Sequence, residues 1–89
     1  MLTENLQNEL LTIGANNFYT KENYYLSFRV DNSLFNFVSI TESKCKTKYR
    51  IIFKRFRSNL CTAERLCENV SKNDLLNIIR KTLHILDTL

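Results

Sequence analysis

From Lys44 to Phe53 the chain reads Lys-Cys-Lys-Thr-Lys-Tyr-Arg-Ile-Ile-Phe, with cations at every second position through Arg50. A period of two is the pattern of a half-buried β-strand. It puts Lys44, Lys46, Lys48 and Arg50 on one face and Cys45, Thr47, Tyr49, Ile51 and Phe53 on the other. Such a strand needs neighbours, so the chain is committed to a sheet with one cationic face. The charge is concentrated here: residues 44–57 hold seven of the 13 Lys and Arg residues and no carboxylate, within a net charge of +4. The remainder, with six basic and nine acidic residues, is therefore net negative.

Eighty-nine residues suit a single domain, 1–89, that buries only about 60 to 65% of its unfolded surface. A hydrophobic fraction of 44% with 25% charged residues is that of an ordinary globular protein. No apolar run approaches the ~18 residues of a membrane span, and the N-terminus lacks the basic-then-apolar pattern of a signal peptide. The expectation is an intracellular, cytoplasmic protein with no membrane partner. Cys45, Cys61 and Cys67 cannot all pair within one chain and form no Cys-x-x-Cys motif, so reduced thiols are expected. One glycine leaves no room for a Gly-rich phosphate loop. Eleven Asn residues, with no Pro, follow AT-rich codons and point to a low-GC bacterium, its phages or another mobile element. With glycine this scarce, turns needing positive φ fall to Asn and Asp.

Along the chain, Leu2, Leu6, Leu10 and Ile13 recur at helical spacing, Thr3 is placed to cap, and Gly14 is a natural terminator. Asn16 and Asn17 read as a loop. Tyr24, Leu26, Phe28 and Val30 then alternate with polar residues as a strand, and 34–41, apolar on both faces, reads as a central one. The third strand of this meander is the basic one. Its phase slips at Phe56, which has the parity of the lysines; either a bulge near Lys54 and Arg55 restores it, or Ile52 and Phe56 share the basic face. Leu60, Ala63, Cys67 and Val70 fit a helix, and Ser71 with Asp74 resembles a capping box that starts another. Leu75, Leu76, Ile78, Ile79, Leu83, Ile85, Leu86 and Leu89 fill half of that last helix, more than a surface helix needs. The expected fold is α+β: an N-terminal helix, a three-stranded antiparallel β-meander, and two C-terminal helices packed on one face of the sheet.

Same-face residues recur every ~6.6 to 6.8 Å along a strand, so Lys44 to Arg50 forms a line of about 20 Å able to follow a phosphodiester backbone. Lys54, Arg55, Arg57 and Arg29 widen it, and Tyr25, Phe35 or Phe37 would add stacking surface if they share the face. The competing reading is a solvated strand whose lysines only block edge pairing. His84 has no Cys or carboxylate pattern around it. Glu64 and Glu68, four apart, read as a solvent-facing helical pair, and Cys61 has no histidine partner. No catalytic, metal or cofactor constellation is visible, so an enzyme is not expected. Helix, three strands, helix resembles the order of double-stranded RNA-binding domains, but residues 58–65, Ser-Asn-Leu-Cys-Thr-Ala-Glu-Arg, lack their Lys-Lys-x-Ala-Lys pattern, and topology alone is analogy.

Two functions follow. The first is a small non-enzymatic binding or inhibitor module whose basic sheet face engages nucleic acid, or an acidic or nucleic-acid-binding protein of a host complex. The alternative is a protein-interaction module that forms a homodimer through the apolar C-terminal helix.

Overall fold

The computed structural model describes residues 4–22, 24–31, 33–44 and 47–83. A helix, α1 (Glu4–Leu11), leads into five strands, β1 (Ala15–Lys21), β2 (Tyr25–Val30), β3 (Phe37–Glu42), β4 (Lys48–Arg57) and β5 (Leu60–Ser71). A 3-10 turn at Lys72–Asp74 then opens α2 (Leu75–Leu83). The strands form one antiparallel sheet in chain order, β1-β2-β3-β4-β5. This overturns the expected three strands with two C-terminal helices: a strand is added on each side of the meander, and a single helix follows it.

The added strand β1 was hidden by its asparagines. Asn17 sits at φ 53° where the register with β2 shifts, so a residue that reads as a loop instead makes a bulge inside a strand. Beyond it Phe18 packs inward on Phe28, ring centroids 5.8 Å apart.

The larger correction is β5, which occupies the segment read as a helix. Ser58 and Asn59 have φ values of 51° and 67°. Two consecutive positive-φ residues are the signature of a type I′ turn, whose twist matches that of a hairpin. The chain therefore folds back along β4 before a helix can begin. Its carboxylates then meet the cations of the basic strand: Glu64 lies directly opposite Lys54, and Glu68 reaches Arg50 at 3.1 Å. Exposed pairs like these add under about 1 kcal/mol each, but they favour this register over any that sets like charges together. Strand β4 itself is regular. The irregularities lie in β5, at Thr62 and at Glu68–Asn69, with Asn69 at φ 57°. Phe56 consequently stays on the face of Ile52 and Lys54, which settles the phase slip in favour of a shared face.

One face of the sheet is the core. Leu26, Phe28 and Val30, Val38 and Ile40, Tyr49, Ile51 and Phe53, and Val70 form one buried cluster with Leu10 of α1 and Leu75, Ile79 and Leu83 of α2. Both helices thus cover the same face. Leu76 and Ile78 pack half-buried against this cluster, while His84, Ile85, Leu86 and Leu89 lie outside the described residues. The end of α2 is tied to the β2–β3 connection, where the Leu34 N–H (3.1 Å) and the Ser33 hydroxyl (2.6 Å) both donate to the Leu83 carbonyl. The expected strand over 34–41 starts only at Phe37; Leu34 is exposed and Phe35 turns into the core against Phe53, at 5.8 Å. The Ser71 hydroxyl donates to the Asp74 carboxylate at 2.9 Å and caps no backbone N–H.

The turn supplies a stability test. Replacing Ser58-Asn59 by Asn-Gly, the pair best suited to type I′ geometry, is expected to stabilise the protein by about 0.5 kcal/mol. Urea melts would show a higher midpoint at unchanged slope; a lower midpoint would contradict the turn assignment.

Candidate binding face

Among the described residues the helices leave the other sheet face open, and cross-strand register fixes what it displays. One row runs Arg29–Phe37–Lys54–Glu64 across β2 to β5; the next runs Tyr19–Ser27–Ser39–Ile52–Leu66 across all five strands. A third carries Lys21, Tyr25, Thr41 and Arg50, with Lys48 and Phe56 at the two ends of β4. Solvated faces of antiparallel sheets are normally polar. This one instead shows Tyr19, 58% exposed, and Leu66, 52% exposed, with Tyr25, Phe37, Ile52 and Phe56 half-buried among them. The aromatic rings form two edge-to-face pairs, Tyr19–Tyr25 at 6.1 Å and Phe37–Phe56 at 5.9 Å. Between the pairs, the small Ser27 and Ser39 are directly opposed and are buried beneath their larger neighbours.

The basic residues singled out in the sequence are divided by this geometry. Arg29, Lys48, Arg50 and Lys54 share the open face. Arg55 and Arg57 have the opposite parity and point away from it, near the hairpin tip. Lys44 lies in the β3–β4 connection, before β4 begins, and Lys46 lies outside the described residues. The straight line of four cations from Lys44 to Arg50 is therefore not a strand feature; its place is taken by cations on two strands. Arg50 and Lys54 have Glu68 and Glu64 as partners, at 3.1 and 3.9 Å. Among the described residues, Arg29 and Lys48 have no ion pair. Sequence reasoning missed Tyr19, because Asn16 and Asn17 read as a loop and Phe18, Tyr19, Thr20 and Lys21 show no apolar–polar alternation that would mark a strand.

Phe56 is held with unusual firmness for a residue at a strand's outer end. The Asn36 carboxamide, one residue before β3, accepts from the Phe56 N–H and donates to the Phe56 carbonyl, both at 2.8 Å. It thereby extends the β3–β4 ladder by one step. The Asn36 N–H also donates to the Lys54 carbonyl, at 3.0 Å. Beside this clamp a shallow depression of about 360 Å³ is lined by Arg29, Phe37, Phe56, Ser58 and Asn59. A second, of about 370 Å³, gathers Lys44, Lys48 and Arg50 with Glu42 and Glu68 at the opposite end of β4.

At that end the Tyr49 hydroxyl, 2% exposed as a residue, donates to Glu42 Oε2 at 3.1 Å. Burial, then this hydrogen bond and the adjacent negative charge, push the phenol above its usual 10.0. A raised folded-state value favours the protonated phenol, so this contribution is fully present below about pH 10 and is lost as pH rises through the folded value. Tyr49→Phe is expected to cost about 1 kcal/mol at pH 8. In urea melts from pH 8 to 11 the gap between native protein and variant should narrow above pH 10; a constant gap would refute the coupling.

Among the described residues no group of three or more His, Cys, Asp or Glu stands close enough to hold a metal ion, and no helix is long and apolar enough to cross a membrane. Cys61 and Cys67 are free thiols, and Cys61 is exposed. No protein-family model matches the chain, and neither the curated proteins nor the solved structures give a match.

Proposed function

We propose that the protein is a non-enzymatic binding module whose open sheet face engages single-stranded nucleic acid. The observation that carries this reading is the interleaving of two aromatic pairs with Arg29, Lys48, Arg50 and Lys54 on the one face that the helices leave free. Sequence-tolerant single-strand binders combine these two elements, cations that track phosphates and rings on which bases stack. Shape argues for the same ligand. Five strands side by side span about 19 Å, too wide for the ~12 Å major groove of a duplex. Bases paired inside a duplex also offer no free face to a ring, whereas unpaired bases do.

Fluorescence anisotropy of a labelled twelve-residue thymidylate or uridylate, titrated with protein at 50 mM salt, tests the proposal directly. Saturable binding that an equal mass of duplex competes for only weakly is the expected result. No binding to either strand, or preference for the duplex, overturns it.

A further inference from the structure

Resting on that reading, we propose that the depression between Arg29, Phe37, Phe56 and the Ser58–Asn59 turn is a seat for a single unpaired base and its phosphate. The volume, about 360 Å³, lies in the range of small-ligand sites. Its aromatic wall suits a flat guest. The Phe37 and Phe56 planes cross at 84°, so the ring that offers its edge keeps both of its own faces clear of the other ring. A base stacks on such a face without needing a particular sequence.

The polar rim suits the rest of a nucleotide. Arg29 lies directly across the ladder from Phe37 and has no carboxylate partner among the described residues. Its planar guanidinium offers the paired N–H donors that match phosphate oxygens. On the opposite rim the Ser58 hydroxyl and the Asn59 carboxamide can both donate and accept, as the edge of a base requires. The seat is also built in advance. Asn36 fixes the Phe56 backbone through two 2.8 Å hydrogen bonds, so little ordering of this wall remains for the ligand to impose.

The test compares an eight-residue thymidylate with an abasic octamer of the same backbone, for the native protein and for Phe56→Leu, which keeps an apolar side chain at a half-buried position. Native protein should prefer the thymidylate by about tenfold or more. Phe56→Leu should remove most of that preference while leaving abasic affinity and its salt slope unchanged. Proton NMR of native protein gives a readout that does not depend on the variant's folding: the Phe37 and Phe56 ring signals should shift on adding thymidylate and stay in place with the abasic strand. If the ring signals stay in place while native protein still prefers thymidylate, the seat is wrong and the broader reading stands; if native protein binds both strands equally, no ring of the open face stacks a base, and both fall. If neither strand binds at low salt, the reading falls and the seat with it.

Discussion

Reversing Arg29 and Lys48 together to Glu is expected to leave the fold intact and to lower affinity for a single-stranded oligonucleotide by roughly 100-fold at 50 mM salt. These two are chosen because they carry no ion pair among the described residues, whereas Arg50 and Lys54 face Glu68 and Glu64. Reversing the latter would set like charges against each other across β4 and β5 and confuse folding with binding. Salt dependence gives the second half of the test. If four cations each displace one counterion from a single strand, the log–log slope is about −2.8, so native affinity falls about 50-fold between 50 and 200 mM salt. Removing two contacts should flatten the slope to about −1.4 and reduce that loss to about sevenfold. Arg55→Glu with Arg57→Glu supplies the control, since these residues leave β4 on the other face. If both double variants weaken binding equally, only net charge matters. If Arg29→Glu with Lys48→Glu retains native affinity and slope, the open face is not where nucleic acid binds.

The meander and the inward set of β4 were legible because period-two alternation acts within a few residues: Tyr49, Ile51 and Phe53 all enter the core. What escaped detection depended on partners distant in sequence. Residues 60–70 have apolar side chains at 60, 63, 67 and 70, a spacing that an isolated segment would present as helix. Their extended form is decided by the Ser58–Asn59 turn and by β4, whose Arg50 and Lys54 await carboxylates. The absence of acids in 44–57 and their presence at Glu64 and Glu68 was the available signal, and it speaks of a neighbouring strand. The asparagines misled in β1 for a related reason. In a chain with one glycine they serve bulges as well as turns, as Asn17, Asn59 and Asn69 show with positive φ. The candidate face inherits the same limit: its cations were visible one by one, but their partition between faces follows from a register that only the folded sheet defines.

Ile79→Ala is expected to destabilise the protein by about 3 kcal/mol, and the response to dilution decides what α2 is for. Ile79 is fully buried in the single cluster that joins both helices to the sheet. Truncating it leaves a cavity that strands on one side and a helix on the other cannot both close. An 89-residue domain has a total stability of about 4 to 13 kcal/mol, so a large part of it would be lost. Leu66→Ala on the open face should change stability by less than about 0.5 kcal/mol, because that side chain is 52% exposed. The sequence offered a different use for the same helix, a homodimer through its apolar half. Leu75, Ile79 and Leu83 are already covered by the chain's own sheet, so unfolding should be unimolecular and the urea midpoint independent of protein concentration. A stabilising dimer would behave otherwise: each tenfold dilution would remove about 1.4 kcal/mol of apparent stability and lower the midpoint. A native-like midpoint for Ile79→Ala would mean that α2 contributes little to the core, and a midpoint that falls on dilution would make the helix an interface between two copies.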